Sequence, residues 1–201
     1  MLNQLDIGLI ILAYLMGSIN SAIIVCKLMG LPSPLSVGSG NPGATNVLRL
    51  GSKKAAAVTM AGDILKGVVP VLIGHALHVS IFILSLIAMA AVIGHIFPLF
   101  FKFKGGKGVA TTLGVILALN LWLGLAVLAT WLVTAVLFRY SSLSALMACA
   151  WCPVYAAFIL GPSSVWPLLV IALIVILRHH GNIKRLLNGT ESKIGQKKPV
   201  V

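Results

Sequence analysis

From residue 5 to residue 178 the chain is a succession of apolar runs, most of them long enough to cross a membrane as a helix. No other feature constrains the fold as much. In hydrocarbon a backbone amide finds no water, so a spanning segment must close its own hydrogen bonds as a helix or join a closed barrel. The runs are therefore read as membrane helices. With 59% of its 201 residues hydrophobic and only 9% charged, the chain lacks the polar surface of a soluble domain. Residues 1–26 contain no Lys or Arg, so a secretory signal with a basic leading region is not expected.

In chain order, residues 5–28 read as one helix that includes the polar Asn20 and Ser21 and stops at Gly30-Leu31-Pro32-Ser33-Pro34. Residues 30–54 are too polar to cross. A second helix is expected to start near Pro42 or Gly43, with Asn46, Arg49 and Lys53 on one face, and to continue as an apolar run over 55–77. Asp63 and Lys66 interrupt that run at a spacing that suits a mutually neutralising pair. Such a pair inside a membrane helix can also position a neighbouring functional group. A third helix covers 79–100. Residues 109–138 as one helix would measure about 45 Å, too long for a hydrocarbon core of about 30 Å, and Asn120 or Gly124 offers a break. Two further runs follow at 143–160 and 165–178.

Charge sets the expected topology. If 109–138 is a hairpin, then Lys27, Arg49, Lys53, Lys54, Lys102, Lys104, Lys107, Arg139 and the basic tail all fall on one side, as the positive-inside rule favours. The expected fold is an all-α polytopic membrane protein forming a single domain over 1–201. It has about seven transmembrane helices, with the N-terminus outside and the C-terminus cytoplasmic. The 109–119 segment is short enough to be half-inserted. Lys193, Lys197 and Lys198 read as a solvated tail.

This topology gathers three polar stretches, 36–54, 94–112 and 178–195, at one face. In the second, Lys104-Gly105-Gly106-Lys107-Gly108 precedes an apolar helix. Glycines let backbone amides close on an anion, the helix N-terminus faces the same spot, and Lys107 adds a full charge. The G-x-x-x-x-G-K-[ST] spacing of a nucleotide-binding loop is absent, so ATP or GTP is not implied. A plain cytoplasmic turn explains the lysines but not the glycines. In the third stretch Arg178, Asn182 and Arg185 share a helical face. The formal charge of +12 does not come with interleaved aromatic residues, so no nucleic-acid partner is expected. No metal is expected either, since His75 and His78 have no third ligand beside them. Cys149-x-x-Cys152 lacks the βαβ setting of a redox motif, and with Cys26 reads as small core residues.

Three motifs carry a resemblance. They are Gly38-Ser39-Gly40-Asn41-Pro42-Gly43-Ala44-Thr45-Asn46, then Gly94-His95-x-x-Pro98 with Lys104-Gly105-Gly106-Lys107-Gly108, and finally His179-x-x-Asn182-Ile183-x-Arg185. Together, in this order, they resemble the bacterial acyl-phosphate:glycerol-3-phosphate acyltransferase family (PlsY). The resemblance implies an inner-membrane enzyme that moves a fatty acyl group from acyl phosphate to glycerol 3-phosphate, giving lysophosphatidic acid, without a cofactor. Its partners would be those two substrates, the lipid bilayer and, by contact, the enzyme that makes acyl phosphate. Ser39, Arg49, His95, His179 and Asn182 carry over as catalytic residues. Asn41, Asn46, Lys104, Gly105, Gly106, Lys107 and Gly108 carry over as substrate-binding residues, and Glu191 as structural. His180 beside His179 leaves open which imidazole is used.

The residues are consistent with that chemistry. Arg49 can fork onto phosphate oxygens, and Lys107 acts as a point charge. Ser39 can donate to a carbonyl oxygen as its charge develops, or can itself be acylated; no histidine adjoins it in sequence, which favours the donor role. The chain has three acids, Asp6, Asp63 and Glu191, and no histidine–aspartate pairing is evident from the sequence. The expected base is the substrate's own phosphate, with His95 and His179 positioning groups; direct general-base catalysis by His95 or His179 is the rival reading. A transporter for phosphorylated anions or a non-catalytic scaffold are the other readings. A His-x4-Asp acyltransferase is excluded, because no histidine is followed by an acid five positions on.

Overall fold

The computed structural model describes residues 2–196, and Lys197 and Lys198 lie outside them. The described residues form helices joined by short loops. They are α1 (Gln4–Gly17), α2 (Ser21–Leu28), α3 (Ala44–Arg49), α4 (Lys53–Ala76), α5 (Ile81–Ile96), α6 (Val109–Leu119), α7 (Leu121–Phe138), α8 (Ser141–Ile159), α9 (Val165–Arg178) and α10 (His180–Leu187). Among them, four spans are long and apolar enough to cross a membrane: α4, α5 with the turn after it, α7 and α8. The pairs α1+α2 and α9+α10, bent by 41° and 60°, bring the number to six. The expected seventh is α6, which at about 1.5 Å per residue reaches only about halfway through the core.

Several expected boundaries move, each for a local reason. The helix expected over 5–28 breaks at Ser18-Ile19-Asn20. There the Asn20 side chain accepts from the Ile23 amide at 3.2 Å and starts α2 as its N-cap. Arg49 and Lys53 do not share a helix. Gly51, with φ of +93°, ends α3, and Ser52 caps α4 by accepting from the Ala55 amide. The third helix is shorter than expected, stopping at Ile96 ahead of Pro98. The 109–138 run does break at Asn120, whose side chain caps α7 through the Leu123 amide at 3.0 Å. Gly124 has another purpose: a Cβ there would collide with Leu117, so α7 folds directly back onto α6. The expected hairpin is therefore present.

Close helix approach elsewhere also relies on glycine, as in membrane bundles generally. A Cβ on Gly17 would strike the Ala91 carbonyl and one on Gly94 the Tyr14 carbonyl, which fixes how near α1 lies to α5. Gly67 on α4 and Gly114 on α6 do the same reciprocally, against Thr111 and Ile64. The core they close on includes Ile87, Ile116, Leu123, Leu168 and Ile171, all buried. Cys26, Cys149 and Cys152 are buried free thiols, as expected of core residues. The tail is more ordered than a solvated one: the Ile194 amide donates to the Arg139 carbonyl at 2.7 Å, although Lys193 stays exposed.

Candidate active site

The glycine loop is held by the end of α5. Pro98 ends that helix, Lys102 and Phe103 take left-handed backbone angles, and the chain reverses so that the Gly106 amide donates to the His95 carbonyl at 3.2 Å. Gly105 lies against the His95 and Ile96 carbonyls, where no Cβ fits. Gly108, with φ of +91°, starts α6 and offers no side chain to the first-turn amides, so they remain available to an anion.

The third polar stretch closes on this loop. The Lys107 ammonium donates to Asn182 Oδ1, and Arg178 donates to the Gly105 carbonyl at 3.1 Å. Asn182 passes the contact on, its Nδ2 donating to Glu191 Oε1 at 2.7 Å. Ser142 donates to the same oxygen at 2.7 Å, and Arg185 Nε to the other at 2.6 Å. Arg49 joins from the first stretch, donating to Ser192 Oγ at 3.4 Å. The outcome is an amide and a carboxylate surrounded by cations. Burial pushes the Lys107 ammonium down to about 8, against the pull of Glu191 and with the repulsion of Arg185, Arg49 and Arg178. Burial also raises the Glu191 carboxyl, but the hydrogen bonds from Ser142, Asn182 and Arg185 prevail and hold it below its ordinary value.

Asn46 is buried and serves the loop. Its Oδ1 accepts from the Ser39 amide at 2.9 Å, and its Nδ2 donates to the Pro34 and Val37 carbonyls at 2.8 and 3.0 Å. With its amide used this way, Asn46 shapes the first polar stretch and presents Ser39, which is exposed at its surface. Asn41 is half-buried beside Gly43. Lys104 is exposed and its side chain has no partner among the described residues; its backbone is engaged, the amide donating to the Phe101 carbonyl at 3.0 Å and the carbonyl accepting from Asn20. Of the two neighbouring histidines, His179 is the inner one: it is buried, with Nδ1 donating to the Val175 carbonyl at 2.7 Å, whereas His180 is exposed. Arg178 does not share a helix with Asn182 and Arg185, because the chain bends at His179; all three still reach the same site.

Two groups escape a linear reading. Ser142 carries no motif. Asp63 does more than pair with Lys66, at 2.8 Å: its Oδ1 also lies 3.5 Å from His95 Nδ1, so a histidine–aspartate pairing exists after all. Thr111 Oγ1 is 3.1 Å from the same nitrogen.

On sequence, Gly106→Ala is expected to raise KM for the anionic ligand and leave kcat largely unchanged. The structure adds to this, because the new Cβ would collide with His95 Nε2 and stand 3.0 Å from the Pro42 carbonyl. Steady-state kinetics of Gly106→Ala should therefore show kcat falling along with the rise in KM, in protein that elutes and melts like wild type. A pure KM effect would mean that the imbalance stops at the loop and spares His95.

A family model described as glycerol-3-phosphate acyltransferase matches residues 7–189. A Vibrio cholerae glycerol-3-phosphate acyltransferase is 50% identical over 196 residues, covering 98% of this chain and 94% of its own. One from Francisella tularensis subsp. novicida is 53% identical over 196 residues, with 98% and 96% covered. Among solved structures, the glycerol 3-phosphate form of PlsY, an integral membrane glycerol 3-phosphate acyltransferase, superposes with a TM-score of 0.87 at 39% identity, covering 94% of this chain and 96% of that one. Its lysophosphatidic acid form gives 0.86 at 38% identity, with 94% and 95% covered. With its three polar stretches meeting in one site and this match along nearly all of its length, the chain belongs to the glycerol-3-phosphate acyltransferase family of integral membrane proteins.

Proposed function

We propose that this chain, acting as a single domain, transfers a fatty acyl group from acyl phosphate to glycerol 3-phosphate, releasing phosphate and lysophosphatidic acid. The hydroxyl oxygen of glycerol 3-phosphate attacks the acyl carbon, the carbon–oxygen bond to phosphate breaks, and the hydroxyl proton goes to a phosphate. The observation that carries this reading is the junction of glycine loop and third stretch: Lys107 on Asn182, Arg178 on the Gly105 carbonyl, and the uncapped start of α6 between them. Such a site holds a phosphate by charge and by backbone amides. Lys107 and Arg49 take the phosphate of glycerol 3-phosphate. Ser39 donates to the acyl carbonyl as negative charge builds on it. A phosphate monoester, whose second pKa is about 6, accepts the proton near neutral pH, and phosphate leaves the mixed anhydride without strong acid assistance. Gly105, Gly106 and Gly108 form the cradle, while Asn41, Asn46 and Lys104 border it. His179 and Asn182 orient groups within the site.

The test is turnover by the detergent-purified chain alone. Acyl phosphate plus glycerol 3-phosphate should give equal amounts of inorganic phosphate and lysophosphatidic acid. Turnover with an acyl thioester and none with acyl phosphate would overturn the donor. Uptake of labelled glycerol 3-phosphate into liposomes without its consumption would identify a transporter instead.

We further propose that the site faces the cytoplasm across a bacterial inner membrane, within reach of the enzyme that makes acyl phosphate. In a background lacking Cys26, Cys149 and Cys152, single cysteines at Ser36, Lys104 and Thr190, all exposed, should label from the cytoplasm. Cysteines at the exposed Leu121 and Ser163 should label from outside. Labelling of residue 190 from outside only would remove the tail, and with it Asn182 and Glu191, from the side occupied by the glycine loop.

A further inference from the structure

The ion pair of Lys66 and Asp63 is buried between membrane helices, with side chains 6% and 4% exposed. Ionised groups at such depth are costly to keep unless they do something besides neutralise each other. Lys66 has a second partner, donating at 2.7 Å to the Ile19 carbonyl in the break between α1 and α2. Asp63 has a second neighbour too, His95 Nδ1 at 3.5 Å, with Thr111 Oγ1 3.1 Å from that nitrogen. A carboxylate and a hydroxyl on one side of an imidazole hold the proton on Nδ1. The lone pair is then on Nε2, and that atom lies directly against Gly106, so close that a Cβ there would collide with it, and that same Cβ position is 3.0 Å from the Pro42 carbonyl. Nε2 thus looks into the meeting point of the first and second polar stretches, and it has no hydrogen-bond partner among the described residues.

The site around it is rich in donors. Lys107, Arg49, Arg178, Arg185 and the α6 amides all offer hydrogens, and Glu191 is already engaged by Ser142, Asn182 and Arg185. A polyol phosphate brings hydroxyls that need an acceptor. Building on the proposed acyl transfer, we infer that Asp63 is a positioning residue: it fixes the Nδ1–H tautomer of His95, so that Nε2 accepts a hydrogen bond from a hydroxyl of glycerol 3-phosphate. Asp63 itself does not touch the substrate. Lys66 keeps its carboxylate in place and anchors the arrangement to the α1–α2 break.

Two measurements test this. The first uses wild-type protein labelled with ¹⁵N-histidine, with the His95 signals assigned by their loss in His95→Gln. Nδ1 should be protonated and Nε2 not; the opposite tautomer overturns the inference without need of any Asp63 variant. The second uses Asp63→Asn/Lys66→Met, which removes both charges and so leaves no uncompensated buried ion. Its kcat/KM for glycerol 3-phosphate should fall about 30-fold, as expected when a buried hydrogen-bonding partner is lost, while KM for acyl phosphate stays within about twofold of wild type. Recovery of wild-type kcat/KM in this double variant would mean that Asp63 only neutralises Lys66. Equal damage to both substrates' KM would mean that it only supports the fold, and either result overturns the inference. Failure of the acyl phosphate reading would show separately, as absent turnover in wild type, with the tautomer still measurable.

Discussion

Lys107→Met is expected to lower kcat/KM for glycerol 3-phosphate by about 10²–10³-fold, the usual loss when a preorganised electrostatic group is removed from an active site. Methionine is about as long as the lysine stem, so the packing of the loop is kept and the charge alone is deleted. Of the two lysines in the glycine loop, Lys107 is the one that reaches the third polar stretch, and it is held in place by Asn182 Oδ1. Circular dichroism and melting should match wild type. A loss below about tenfold would mean that Arg49, Arg178 and Arg185 supply the field and Lys107 is dispensable. The same residue sets a pH limit. With its ammonium pushed down to about 8, the free enzyme loses this charge as pH rises through that value. The kcat/KM profile, which reports the free enzyme, should therefore fall above about pH 8. Bound phosphate favours the ammonium, so the limb in kcat should lie at higher pH. Lys107→Arg, which stays charged, should abolish the fall in kcat/KM; a limb that survives it belongs to another group.

How much of this was legible in the sequence depended on whether a signal is local. The hairpin at Asn120 could be read because an asparagine among apolar residues is both a breaker and a cap, and because the lysines then fall on one side. The break at Ser18-Ile19-Asn20 could not. Its asparagine stands inside a run that is apolar on both sides, and the carbonyl it frees is compensated by Lys66 on another helix. The motif residues Lys107 and Asn182 were recognisable one by one, whereas their contact is made across 75 positions of chain. Asp63 was visible as half of an i, i+3 pair, and that spacing says nothing about a third member on α5. Ser142 left no trace at all: a serine in the first turn of a helix is ordinary, and only the return of the tail to Glu191 gives it a role. Asn46 read as a substrate-binding residue because the family resemblance carries it over with the first motif. Its burial and its three backbone bonds were not readable, and they make it a brace.

Asn182→Asp changes one side-chain nitrogen to oxygen and should cost at least about a hundredfold in kcat/KM, close to 3 kcal/mol of transition-state stabilisation. The amide is used at both ends. Its oxygen accepts from Lys107, and its nitrogen donates to Glu191 Oε1 at 2.7 Å. An aspartate keeps the first contact but turns the second into oxygen against carboxylate oxygen, and like charges at that distance cannot both stay ionised in place. Either the two groups share a proton or the α10 side moves away, and in both cases Lys107 gains a full counter-charge that competes with the substrate phosphate. The loss should therefore appear as a higher KM for glycerol 3-phosphate as well as a lower kcat. Asn182→Asp/Glu191→Gln restores a donor opposite the new carboxylate and removes the repulsion, although Arg185 then loses its ionic partner. It should recover at least about tenfold of the activity, a coupling of more than 1 kcal/mol between residues in direct contact. Additive losses in the double variant would show that Asn182 acts on Lys107 alone, and that Glu191 holds the tail through Arg185 and Ser142 without setting the amide.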